Sequence, residues 1–485
     1  MSDNTNTLSI KVYTQAKLHG VIQLRFASGQ RSRAGKFRKE KQMNNKRIQR
    51  RFVILTVLIG LLYTTPAFAE QKVVPQGSIE PGFIRIFNGK DLTGWDGDPR
   101  LWSVKDGAIR GRTTKENPAH GNTFCIWRGG KLKNFILKIK FRINNGNSGI
   151  QYRSQDLGKW RVSGYQAEVE NKQGKVGFLY HERGRGWMVN VGDIMVVDKK
   201  GNKIVVGKVA DRDALIKAGY YKNKGWNEYT IIARGNHLIH ILNGYQTIEM
   251  LDNDPNGRAM EGILALQLHA GPPMTVEFKD IRIKRLPDNF GQAKLLFNGK
   301  NFDGWTFYED GLRNIWSVKD GVMHNKGKPQ GYIRTTADYT NYVLRLQFRH
   351  ITKGNSGVLL RTVGEDVVWP HSIEAQGEYG SVGDIWNIRR FPMNPPPTAK
   401  YTRIKKKHPS NEKPLGQWNQ YEITLNGGDL DIKVNDLVQN TATDCWETPG
   451  KICIQSEGAQ MEYRNIVLIP IIHNGVKPSP AKGSF

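Results

Sequence analysis

The sequence predicts an all-β protein of two tandem sandwich or jelly-roll domains. Three observations carry this: landmark segments recur in order, apolar and polar residues alternate with a period of two, and Gly, Asn and Pro punctuate the alternating runs. The 485 residues include 52 Gly, 12 Trp and 17 Tyr, a composition suited to turn-rich strands. At 38% hydrophobic and 24% charged, the chain is not disordered, a coiled coil or a multispanning membrane protein.

The repeat is explicit. Phe87-Asn88-Gly89-Lys90 with Gly94-Trp95 recurs as Phe297-Asn298-Gly299-Lys300 with Gly304-Trp305. Trp102-Ser103-Val104-Lys105 recurs as Trp316-Ser317-Val318-Lys319, Gly146-Asn147-Ser148-Gly149 as Gly354-Asn355-Ser356-Gly357, and Trp226-Asn227-Glu228-Tyr229 as Trp418-Asn419-Gln420-Tyr421. Such long offsets exclude a solenoid. They describe domains at 82–286 and 292–470, a turn-like linker at 287–291 and a tail at 471–485.

Each element follows from its pattern. From Leu137 to Ile143 apolar residues alternate with Lys and Arg, and Tyr342 to Arg349 behaves alike. Tyr229 to Gly244 reads as a hairpin turning at Gly235-Asn236. Asp211 to Ala218 is the one predicted helix. Phe391 to Pro414, with Pro395-Pro396-Pro397 and Lys405-Lys406-Lys407, has no counterpart in domain 1 and reads as a mobile basic loop.

Residues 1–69 read as a leader. Lys46, Arg47, Arg50 and Arg51 precede an apolar run, Phe52 to Tyr63, and Ala67-Phe68-Ala69 is a cleavage site. Met43 is the better natural start, Glu70 would begin the mature chain, and an uncleaved anchor is the alternative. The expected location is secreted or periplasmic, with no membrane span once the leader is removed. The formal charge is +28, and the leader holds 13 Lys/Arg against 2 Asp/Glu. The remaining cations are scattered rather than striped, which argues against nucleic acid and suits a solvated basic surface or an anionic polysaccharide setting. Cys125, Cys445 and Cys453 have no metal or redox spacing and read as small buried residues.

Four ordered landmarks carry a resemblance: F-N-G-K-x-x-x-G-W, the N-S-G strand, W-N-x-Y with its hairpin, and a closing Q-x-[HE] at Gln267-Leu268-His269 and Gln455-Ser456-Glu457. In both copies the chain resembles the 3-keto-disaccharide hydrolase-like family. The resemblance implies a concanavalin-like β jelly roll, a carbohydrate ligand and hydrolysis of glycosides oxidised to the 3-keto form.

Alternate strand residues share a face. Gln151 with Arg153, Gln166 with Glu168 and Glu170, and Gln267 with His269 put polar groups where a half-buried strand would put apolar ones. Amides, carboxylates, Arg and His suit hydroxyl-rich ligands, with Tyr180 and Trp187 as rings. The segment Gly177 to Gly186, including Glu182 and Arg185, reads as a loop over that face. Domain 2 offers Arg361, Glu374 with Gln376, and Gln455 with Glu457, the same positions with rearranged chemistry.

In a 3-keto glycoside the ketone acidifies the C2 proton, so a base can drive elimination at C1 before water adds back. Glu168 or His269 is the expected base, and Arg153 or Arg185 the group polarising the oxygen. A divalent metal at Glu168 and His269 is left open, for no ligand motif fixes one. Direct hydrolysis by Glu168 and Glu170, about 7 Å apart on one strand, is also open. The competing reading is a non-catalytic pair of lectin-like modules; a surface scaffold is the third. The structural alternatives are water-facing strand residues, a core histidine, and arginines held in structural ion pairs.

Overall fold

Alternation builds the sandwiches. In Phe135–Asn144, Leu137, Ile139, Phe141 and Ile143 are buried while Lys138, Lys140 and Arg142 are partly exposed. A computed structural model describes residues 80–473; the leader, its cleavage site, Met43 and most of the tail lie outside the described residues. Each repeat pairs a large antiparallel-dominated sheet with a seven-stranded one.

The seven-stranded sheet of domain 1 runs Gly186–Val189, Leu179–Glu182, Val162–Glu170, Asn147–Asp156, Ile263–Leu268, Thr123–Trp127, Trp95–Asp96. Tyr165, Ala167 and Val169 enter the sandwich core, so Gln166 and Glu168 face outward. In domain 2 the matching order is Tyr401–Ile404, Ile385–Ile388, His371–Gln376, Gly357–Val363, Lys451–Ser456, Gly331–Thr335, Trp305–Phe307.

Two expectations need correction. Phe391–Pro414 is no free loop: Tyr401–Ile404 pairs along Ile385–Ile388 and extends the sheet, and Asn440 Nδ2 donates to the Ile404 carbonyl. Gly177–Gly186 is not a lid either. Leu179–Glu182 and Gly186–Val189 form a hairpin at the sheet edge, turning at Arg183. The helix is present as Arg212–Lys217, with Asp211 accepting from the Ala214 amide. The three cysteines are free and buried. No described helix is long and apolar enough to cross a membrane.

The large sheets of the two repeats meet through their outer faces. Leu251 packs with Val343, Val467 and Ile469. Arg234 donates both terminal nitrogens to Glu422 at 3.0 Å, and Arg345 pairs with the same carboxylate. This contact explains why Tyr342–His350 is buried almost throughout, although its sequence alternates like its half-exposed counterpart. The outward faces of the seven-stranded sheets therefore lie remote from it, on opposite sides.

One device recurs in both repeats. A β-bulge puts Arg153 at φ 47° and Arg361 at φ 46°, and the left-handed turn sends each guanidinium inward. Arg153 donates to the carbonyls of Lys133, Gly235 and Ala259 and to Asn134 Oδ1. Arg361 donates to the carbonyls of Thr340, Gly427, Cys445 and Trp446 and to Asn341 Oδ1. Asn134 and Asn341 in turn accept from the Gly235 and Gly427 amides. Replacing Arg153 by Met would orphan these buried acceptors. The expected cost is about 3–5 kcal/mol, read as a lower denaturation midpoint; a loss under about 1 kcal/mol would contradict the clamp.

Candidate functional sites on the two outward sheet faces

Domain 1 carries a hollow of about 230 Å³, lined by Asn122, Asn147, Gln166, Glu168, Phe178, Tyr180, Glu182, Trp187, Gln267 and His269. Five strands, the Phe178 turn and the strand-flanking Asn122 and His269 deliver these groups. Gln151 lies beneath, fully buried, donating to Gln166 Oε1 at 2.5 Å. Gln166 donates to Glu168 Oε2 at 2.8 Å. Glu168 is 3% exposed, and burial raises its pKa to about 8 against the lowering effect of the Gln166 hydrogen bond. His269 Nδ1 contacts the Ala270 carbonyl; a proton there leaves Nε2 as the basic nitrogen. Asn122 accepts from the Ala270 amide and donates to Glu182 at 3.4 Å. Trp187, 47% exposed, stacks on Phe178 with centroids 3.8 Å apart.

Domain 2 carries a hollow of about 380 Å³, lined by Asn355, Trp369, Glu374, Gln376, Glu378, Trp386, Ile388, Tyr401, Arg403 and Glu457. Glu374 is 4% exposed; burial, with Glu457 and Glu378 nearby, holds its pKa well above the usual carboxylate range. Glu457 is raised by burial while accepting from Trp369 Nε1 at 3.0 Å. In both hollows the same positions carry buried acceptors without a partner among the described residues: Asn147 Oδ1 and Gln267 Oε1, matched by Asn355 Oδ1 and Gln455 Oε1. Glu374 Oε1 and Glu457 Oε2 join them. Unpaired buried acceptors suit a ligand rich in hydroxyl donors.

The structure brings together Gln166, Glu168, Tyr180, Glu182, Gln267 and His269 in one hollow, and Glu374, Gln376 and Glu457 in the other, with Gln455 beside it. Arg153, Arg361 and Arg185 are corrections. The first two are the internal clamps, because the bulge breaks the alternation that would have placed Arg153 beside Gln151. Arg185 is held by Asp252, Asp254 and the Tyr165 hydroxyl, partners distant in sequence, and lines neither hollow. Asn122, Phe178, Trp369, Tyr401 and Arg403 went unread. A signal existed only for Tyr401 and Arg403, whose i, i+2 spacing marks one strand face. Among the described residues no group of three or more His, Cys, Asp or Glu is arranged to hold a metal.

Fold and hollows together define a tandem jelly-roll protein with a polar, aromatic-flanked site on the outward sheet face of each repeat. The chain belongs to the 3-keto-alpha-glucoside-1,2-lyase-like domain family, whose model matches residues 82–284 and again 292–469. A 3-keto-disaccharide hydrolase of Bacteroides thetaiotaomicron is 35% identical over 88 residues, 16% of this chain and 29% of that protein. The chain thus spans under a third of that relative's length. A crystal structure from Parabacteroides distasonis, provisionally described as a glycosyl hydrolase, aligns at 20% identity over 37% of this chain and 94% of its own, with a TM-score of 0.29. A Bacillus licheniformis β-glucanase aligns at 13% identity over 38% and 99%, also with a TM-score of 0.29.

Glu168 makes stability pH-dependent. It ionises near 4.5 when unfolded and near 8 when folded, so the folded state holds its proton more tightly. That contribution is full below pH 4.5 and lost as pH rises through about 8. Glu168→Gln removes the loss. Its melting midpoint is expected to match the parent near pH 4.5 and exceed it near pH 9; parallel curves across that range would show an ordinary carboxyl.

Proposed function

We propose that the protein cleaves 3-keto glycosides in the domain 1 hollow by elimination followed by hydration. The observation that carries this is Glu168, buried with a raised pKa, lining the same hollow as His269 and beside unpaired acceptors. Family membership supports a glycoside-hydrolase-like activity on carbohydrate. The leader pattern supports export, which detection of a mature terminus at Glu70 would test.

The chemistry follows from the two protonation states. Near neutral pH Glu168 is a protonated donor rather than a base. His269 Nε2 removes the C2 proton; the electron pair forms the C2–C3 enolate, whose oxygen takes a hydrogen bond from Glu168. As the ketone re-forms, the C1–O bond breaks and the imidazolium gives its proton to the departing oxygen. Water then adds at C1, losing a proton to His269, while C2 regains one. The net change is one water consumed and one glycosidic bond cleaved. Trp187 and Tyr180 present ring faces for the sugar.

His269→Asn is expected to slow aglycone release from a 3-keto disaccharide about 10²–10⁴-fold with the thermal midpoint kept. Activity is expected to fall above about pH 8 as Glu168 ionises, and Glu168→Gln, which keeps a donor, is expected to lose that alkaline limb. Release from neither keto nor ordinary disaccharides would overturn the enzyme. The second reading, a tandem carbohydrate-binding protein, is favoured by the exposed Trp187 platform and the Trp369–Tyr401 edge; saturable sugar binding without release would establish it.

A further inference from the structure

The domain 2 hollow does not end at its own rim. Arg403 lines it and also lines an adjoining groove of about 410 Å³, bounded by Gly380, Ser381, Asp384, Lys405, Lys406, Lys407, His408 and Pro409. Six of its nine lining residues, Arg403 and Lys405 to Pro409, come from the Phe391–Pro414 segment, and Gly380, Ser381 and Asp384 from the turn before Ile385–Ile388. Tyr401 and Arg403 point from one strand face into the hollow, with Arg403 over the Trp386 ring at 5.8 Å. The three lysines follow immediately along the chain.

Cations predominate in this groove, although Glu378 lies 3.7 Å from Arg403 and Glu412 accepts from the Gly380 amide at its edge. Its carboxylate, Asp384, is already engaged by Arg403 Nε at 2.7 Å and by the Lys406 amide at 2.9 Å. Lys406 Nζ donates to the Gly380 carbonyl at 2.6 Å and Lys407 Nζ to Thr441 Oγ1. Each ammonium has three donors, so these bonds orient the lysines while leaving donors for a ligand. The hollow has a different character: burial disfavours the charged form of Glu374 and Glu457, Glu378 lies beside Arg403, and Trp369, Trp386 and Tyr401 supply rings. A ligand spanning both is best matched with an uncharged ring at one end and an anionic group at the next.

We propose that domain 2 binds an acidic oligosaccharide, with an uncharged ring in the hollow against Trp386 and Tyr401 and a carboxylate- or sulfate-bearing unit past Arg403 on Lys405 to Lys407. This rests on the reading of the hollows as carbohydrate sites. It also accounts for the lysines that follow the edge strand Tyr401–Ile404, which add an anion-reading subsite beside the hollow.

Binding to the full mature chain is measured calorimetrically with three tetrasaccharides: a neutral glucan, one carrying terminal uronic acids and one carrying sulfate esters. At about 50 mM NaCl the acidic ligands are expected to bind about tenfold more tightly than the neutral one, the advantage shrinking at about 300 mM because exposed charge is screened. The better of the two acidic ligands identifies the anionic group. Lys405→Ala/Lys407→Ala is expected to bring the acidic-to-neutral affinity ratio close to one, and Lys405→Glu/Lys407→Glu to invert it. Neutral binding with no acidic advantage, or an unchanged ratio in both double variants, overturns the subsite alone. Binding of no tetrasaccharide, neutral included, instead overturns the carbohydrate reading beneath it. Equal competition by an oligonucleotide of matched charge would show a general polyanion surface and overturn the glycan assignment.

Discussion

In each sandwich one buried guanidinium ties the two sheets together. Arg153 and Arg361 leave their strands at a bulge and satisfy carbonyls at the start of one large-sheet strand, at a large-sheet hairpin turn and in a loop near the next site strand. A planar fork of five donors suits this position, because it meets several oxygens at once and stays charged even when desolvated. Glycine is required alongside: a Cβ at Gly262 or Gly450 would strike the backbone of the clamping arginine. The hollows depend on this joint, since it fixes the register of the strands that present Gln151, Gln166 and their counterparts.

The two repeats keep this joint and diverge at the face it supports. Gln166 and Glu168 are exchanged for Glu374 and Gln376, and His269 for Glu457. The exchange alters acid–base character without altering how the strands pair: Gly149 opposes Glu168 as Gly357 opposes Gln376. Glycine at that point leaves space that the neighbouring amide and carboxyl side chains fill. Divergence thus sits on side chains directed away from the sandwich core, which leaves the apolar packing between the sheets unchanged.

Much of this was legible in the chain. Ordered landmarks gave two domains, period-two runs gave strands, and polar residues on alternate strand positions picked out Gln166, Glu168, Gln267 and His269, which share a hollow. Alternation could not show a bulge, so Arg153 and Arg361 looked like site residues although they turn inward. Arg185 was misread because Asp252 and Asp254 reach it only in three dimensions. The Phe391–Pro414 segment, rich in Pro and Lys, hid a short strand whose pairing depends on an existing sheet edge rather than on local propensity. Trp369 had no counterpart to draw attention to it.

The contact between the repeats has a topological consequence. Because it uses the outer faces of the large sheets, the ligand faces point away from each other, with two full sandwiches between them. A short saccharide seated on one side has no path to the other, so tandem linkage confers no chelate gain on a single small ligand. The molecule has instead the geometry of a bridge: if both proposed sites take sugar, it would join two separate glycan chains, and its valency would show only on a matrix dense enough to offer both.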